Sequence, residues 1–172
     1  MPGWNSYRAV YGAELRAAAR EFTDHGWPVV ERSASTLLLV TGRVVDVLEV
    51  PAARGREICA ALRDVGAVVP VAATPTGSWW YPVIAGAELP AELAAADGVV
   101  WHAAGDAVLA PPSEMPDGWV HWRVAPALTG YRPAPADLIF RAAVAAVHVR
   151  GGSESRPGAQ RPAGVAAVGL RF

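Results

Sequence analysis

LLLVTGRVVDVLEVP, residues Leu37–Pro51, decides how the rest of the chain is read. Two runs of branched apolar residues flank Thr41-Gly42-Arg43, and the second run carries two acids, Asp46 and Glu49. Short Val/Leu runs bounded by Gly and Pro predict buried β-strands over Leu37–Val40 and Val44–Val50. Acids on such a strand point to metal binding, catalysis or a strand end. Side chains three apart on a strand face opposite ways unless a bulge intervenes, so Asp46 and Glu49 are expected back to back. The question for the remaining sequence is whether it supplies partners for them.

Upstream, Tyr11, Leu15, Ala18, Ala19 and Phe22 recur at helical spacing, predicting an amphipathic helix from about Ser6 to Gly26 with Asn5 or Ser6 as cap. Trp27-Pro28-Val29-Val30 then enters the sheet in extended form, because Pro28 disfavours helix before it. Downstream, Pro51 starts a helix to about Val65 with Ile58, Ala61, Leu62 and Val65 inward, and Gly66 stops it. Val68–Ala72 is a short strand, Thr74-Pro75-Thr76-Gly77-Ser78 a turn, and Trp79–Ile84 the returning arm of a hairpin. An Ala-rich helix near Pro90–Ala96 leads to strands at Val99–His102 and Ala107–Ala110, the second stopped by Pro111-Pro112. Trp119–Val124 is expected as an edge strand. Asp137 opens a last helix from Leu138 to about Val149, with Leu138, Ala142, Ala145 and Val149 on one side.

The 172 residues are 52% hydrophobic and 18% charged, which predicts one globular domain over residues 1–150. Residues 151–172, rich in Gly, Ala and Pro, read as a flexible and mildly basic tail. No apolar run approaches the roughly 20 residues of a membrane helix, and the N-terminus lacks a basic start and an apolar core. A cytoplasmic protein without membrane contact is expected. The formal net charge is −1 and every cation is Arg. No Lys or Arg falls between Arg63 and Arg123, whereas seven acids do, so the middle third is a poor place to hold phosphates.

Several site chemistries are disfavoured. Cys59 is the only cysteine, which excludes an internal disulfide, and its helical setting suits a small buried hydrophobe. His25, His102, His121 and His148 show no metal-ligand spacing, and Ser78 and Ser113 lie in no nucleophile elbow. Thr74–Ser78 has one Gly and no Lys, so it reads as a hairpin turn rather than a phosphate loop. Trp79, Trp80, Trp101, Trp119 and Trp122 fall on predicted strands in one half of the chain. They read as core or protein–protein interface, with base stacking the other reading, and Trp79 and Trp80 face opposite sides.

The order of motifs resembles a known family. Gly26-Trp27-Pro28-Val29, Thr41-Gly42-Arg43 before an acidic strand, Thr74-Pro75-Thr76-Gly77, and Gly98-Val99-Val100 before Ala110-Pro111-Pro112-Ser113 follow one another as in the N-terminal Prim-Pol domain of bifunctional DNA primase/polymerases, of the archaeo-eukaryotic primase superfamily. The resemblance covers roughly residues 10–125. It implies an α/β (α+β) fold with a mixed, RRM-like sheet flanked by helices, Mg²⁺- or Mn²⁺-dependent nucleotidyl transfer, and primers as products. It also implies an acid-x-acid pair on the acidic strand, where this chain has Glu49 and Pro51. A phosphate-binding His after the Thr-Pro-Thr-Gly turn is replaced by the Trp79-Trp80-Tyr81 run. A third acid is replaced by Val100, and the basic residue two further on is His102. The candidate site is therefore Glu49 and Asp46 as residual catalytic acids, with Thr74, Gly77, Trp80 and His102 as nucleotide contacts. The expectation is a degenerate Prim-Pol-like domain with no metal (Glu49 being the ligand if there is one), acting by binding a protein partner or, weakly, nucleic acid or nucleotide. The alternatives are an active primase/polymerase built on Glu49, and a plain interaction module.

Overall fold

The two runs that flank Thr41-Gly42-Arg43 do not pair with each other; they belong to different sheets. The computed structural model describes the backbone of residues 4–153 and the side chains of residues 12–147. Strand β1 (Val29–Ser33) and β2 (Thr36–Val40) form a hairpin, joined on the far side of β2 by β7 (Ala107–Ala110). The second sheet has five strands: β3 (Val45–Pro51), β4 (Val71–Ala73), β5 (Ser78–Ile84), β6 (Val100–His102) and β10 (His121–Val124), in the order β10-β4-β5-β3-β6. A two-residue pair, β8 (Glu114–Met115) with β9 (Gly118–Trp119), makes a third, small sheet. The ladders are antiparallel, and a parallel bridge joins Val83 to Ala134. With helices α1 (Trp4–Asp24), α2 (Ala52–Asp64), α3 (Ala91–Ala94) and α4 (Ala136–Ser153), the fold is α+β.

Alternation along β3 divides the interior into two cores. Leu48 and Val50 face α2 and α4, packing with Ile58, Leu62, Tyr81, Val83, Ile139 and Ala143. Val45 and Val47 face the other way, into a core with Leu15, Phe22, Trp27, Leu37, Leu39 and Trp80. The central strand is apolar on both sides because both of its faces are covered. On the helical side, Gly55 lets α2 sit directly on Trp79: a Cβ there would lie 2.5 Å from Trp79 Cε3. The Tyr81 hydroxyl donates to the Gly55 carbonyl at 2.7 Å, which fixes the same contact.

Element ends differ from the sequence expectation in instructive ways. The first helix begins at Trp4, ahead of the expected caps Asn5 and Ser6. Its Leu15, Ala19 and Phe22 are buried as expected, whereas Tyr11 lies outside the described side chains. Pro51 both ends β3 and is the N-cap of α2, which begins at Ala52. Val65, expected inward, caps α2 and is exposed, because Gly66 turns left-handed immediately after it. The strand expected from Val68 begins at Val71, past Pro70, which has no amide hydrogen for a ladder. On α4 Ile139, Phe140, Ala142, Ala143 and Ala146 are buried and Ala145 faces out, while Val149 lies outside the described side chains. Asp137 pairs with Arg141 one turn on instead of capping. The last helix runs to Ser153, and the rest of the tail expected over residues 151–172 lies outside the described residues. Among the described residues no helix is long and apolar enough to cross a membrane.

Candidate functional site

Glu49 stands in the middle of a row that crosses three strands. It is opposite Trp80 on β5 and opposite Val100 on β6. Directly opposed residues in an antiparallel ladder point to the same face, so this row lies on the side of the sheet away from α2. Pro51 and Ser78 form the next row on that face, and Val47, Pro82 and His102 the row before it. The positions singled out around the acidic strand therefore do converge. What they bring is one carboxylate, an indole, a proline ring and an isopropyl group.

His102 completes the site. Its Nε2 lies 2.9 Å from Glu49 Oε2 and its Nδ1 lies 2.6 Å from Asp106 Oδ2. Asp106 reaches back across the Ala103-Ala104-Gly105 turn, and its other oxygen accepts the Ala107 amide hydrogen at 2.7 Å. An imidazole between two carboxylates is most stable with both nitrogens protonated and donating. The bond to Glu49, more than the one to Asp106, holds the His102 pKa above its ordinary value, and half-burial only partly opposes this. The same bond, helped by the Ser78 hydroxyl, holds the Glu49 carboxyl below the usual range. Asp106 is likewise lowered, by His102 and then by the Ala107 amide. The result is a carboxylate–imidazole–carboxylate chain in which each shift favours the charged form, with side chains 26%, 14% and 53% exposed from Glu49 to Asp106. Neither imidazole nitrogen is directed at open space, so the arrangement is a clamp on Glu49 rather than a general base aimed at a substrate.

Asp46 lies elsewhere. It is opposite Val83, on the α2–α4 side of the sheet, and is only 1% exposed. One carboxylate oxygen accepts the Gly86 amide hydrogen at 2.9 Å, and the other is buried without a hydrogen-bond partner among the described residues. The β3–β5 register is unbroken from Val45 to Pro51, so no bulge turns Asp46 toward Glu49.

The remaining candidates are engaged in the fold. Thr74 Oγ1 accepts the Ser78 amide hydrogen at 3.1 Å and lies 2.9 Å from Thr76 Oγ1, and the Thr74 amide donates to the Ser78 carbonyl. Gly77 occupies a left-handed conformation, and its carbonyl accepts the first amide of α2. Both residues close the β4–β5 turn. Trp80 is 1% exposed, with its ring edge-on to Trp122 at 5.3 Å between centroids. Trp79 belongs to the opposite core and carries the Arg123 guanidinium 4.1 Å above its ring. Both indoles are thus core residues and present no face for stacking a base. Ser113 is buried, and its hydroxyl ties the Pro-Pro-Ser turn to β2 by bonding both the amide and the carbonyl of Leu37.

Asp106 was not visible as a site residue from sequence, although a His and an Asp four apart across a Gly turn is a usable signal. The contact between His102 and Glu49 spans 53 positions and comes only from strand order. A separate cleft of about 510 Å³ lies between α1 and β10, lined by Phe22, Trp119, Trp122, Pro126 and Tyr131 among others. It does not include Glu49 or His102.

As a metal site, the Glu49 row is poor in donors. Pro51 and Val100 have no side-chain oxygen, and the two nitrogens of His102 already face carboxylates. Among the described residues no three His, Cys, Asp or Glu side chains are arranged around a common centre. No curated protein and no solved structure matches the chain. The model of one family, bifunctional DNA primase/polymerase, N-terminal (Prim-Pol), matches residues 4–137, and its span takes in the acidic strand, the turn that follows and the Pro-Pro-Ser segment. A match over most of the chain makes this protein a member of the Prim-Pol family.

Proposed function

We propose that this Prim-Pol domain has kept the primase/polymerase scaffold without its two-metal chemistry and serves in the cytoplasm as a binding or accessory module. The observation that carries the reading is the Glu49–His102–Asp106 chain. Two-metal nucleotidyl transfer needs several carboxylates to hold two Mg²⁺ ions about 3.5–4 Å apart, in near-octahedral oxygen coordination. Glu49 is the one carboxylate of its row, and a cationic imidazole already neutralises it. The residues present do not fit such a centre. In this reading the imidazolium takes over, for stability, the countercharge that a divalent ion supplies in an active site. Apart from this site, the cleft between α1 and β10 has an apolar lining and a half-exposed Trp119, which suits a protein partner better than a phosphate.

A primer-synthesis and extension assay with Mg²⁺ or Mn²⁺ tests the proposal. No incorporation above background is expected. Incorporation that Glu49→Ala abolishes would overturn it in favour of an active primase/polymerase, a reading favoured by the survival of a partly accessible Glu49 at a motif position. Tryptophan fluorescence titrated with deoxynucleotide and with single-stranded DNA separates weak nucleotide or DNA binding from a purely protein-binding role.

A further inference from the structure

Three arginines that are far apart in sequence meet on the side of the five-stranded sheet away from Glu49. Arg56 and Arg63 lie two turns apart on α2, about 10 Å along its axis. Arg123 comes from β10, where the register against β4 shifts between Trp122 and Val124. That bulge adds a residue, so Arg123 and Val124 both line the α2 side while Trp122 stays in the opposite core. Together with Trp79 and Val69 these residues border a cleft of about 590 Å³. Arg56, Arg63 and Arg123 are exposed, the cleft's lining contains no acid, and none of the three forms an ion pair among the described residues. In a chain of net charge −1, three guanidiniums without an ion-pair partner among the described residues, set around one concavity, are a local excess of positive charge.

We infer that this cleft binds a small, multiply charged phosphate anion of the di- or triphosphate class, its phosphates held by Arg56, Arg63 and Arg123. The cation–π contact on Trp79 holds the Arg123 plane in place, so its free N–H edge is pre-organised for bidentate pairing with phosphate oxygens. Guanidinium suits this role because it stays charged and matches two oxygens at once. The volume falls in the range of small-ligand pockets, and the apolar wall of Val69 and Val124 can cover an uncharged portion of the ligand. Trp79, buried beneath Arg123, offers no open ring for a base, which separates this site from a single-strand stacking platform. Lying across the sheet, the site does not depend on whether Glu49 supports chemistry.

Calorimetric titration of the full chain at constant ionic strength tests it, with tripolyphosphate as probe and with a nucleoside triphosphate and a single-stranded oligonucleotide as further arms. Saturable binding of tripolyphosphate is expected. Arg56→Gln/Arg63→Gln, both on an exposed helix face, should weaken it by about tenfold or more, the loss of charge-assisted hydrogen bonds. Arg123→Gln should weaken it similarly, with circular dichroism confirming the fold, and Arg141→Gln, outside the cleft, should leave it unchanged. Tighter binding of the nucleoside triphosphate would identify the uncharged portion as a nucleoside. Absence of saturable binding, equal affinity in Arg56→Gln/Arg63→Gln, an equal loss in Arg141→Gln, or binding confined to the oligonucleotide would each overturn the proposal.

Discussion

Two acids on one strand, Asp46 and Glu49, have met opposite fates on the two faces of the same sheet. Asp46 is sealed against the α2–α4 core, with one hydrogen bond from Gly86. Glu49 sits on the other face at the margin of the second core, partly open to solvent and clamped by His102. Both faces carry a packed core, but Gly55 on Trp79 shows the close fit of the helical side, whereas Glu49, at the margin of the other core, is held by its hydrogen bond to His102. The difference teaches that two acids three positions apart on one strand can be held in place by unrelated means, and that only their neighbours distinguish them.

Substitutions on either face can break or sharpen this contrast. Trp80→Ala should have the largest effect, about 3–5 kcal/mol of lost stability in urea denaturation, because it empties the core beside Glu49. A folded, stable Trp80→Ala protein that had lost only ligand binding would make Trp80 a contact residue instead. On the opposite face, Gly55→Ala should cost about 1–3 kcal/mol, since the new methyl group must push Trp79 aside. His102→Ala comes next at about 1–2 kcal/mol, the worth of a hydrogen bond to a charged, half-buried carboxylate. Asp106→Asn should cost less than about 1 kcal/mol because that carboxylate is largely exposed. If His102→Ala and Asp106→Asn cost the same, the clamp would be organised from the exposed end rather than from Glu49.

The clamp also sets a pH dependence whose sign follows from its shifts. His102 is raised from an ordinary value of 6.5, so its contribution is fully present below about pH 6.5 and is lost as pH rises through the folded value. Glu49 is lowered from 4.5, so its contribution is present above that value and is lost as pH falls through the folded one. The contribution of the pair should therefore be greatest between about pH 4.5 and 6.5. Thermal melting across this range should show stability falling on the alkaline side for the parent and a flatter profile for His102→Ala. Equal slopes in the two proteins would place the titrating group elsewhere.

Much of this was legible in the sequence, and for a local reason. The two-residue period of a strand already sets Asp46 and Glu49 on opposite faces, and no fold can give Pro51 or Val100 a side-chain oxygen. The order of motifs, read against Gly and Pro punctuation, was enough to indicate the Prim-Pol family and an α+β fold. Tertiary structure decided what had to come from strand order. It brought His102 and Asp106 to Glu49, buried Trp80 rather than exposing it, and sent the two runs of Leu37–Pro51 into different sheets. It also gathered Arg56, Arg63 and Arg123 around one cleft, although the sequence between Arg63 and Arg123 contains no cation. Face and donor chemistry are properties of a residue and its immediate neighbours, so the sequence carries them alone. Which charge finds which partner across dozens of residues depends on how sheets are ordered and helices laid on them, and that is settled only when the whole chain packs.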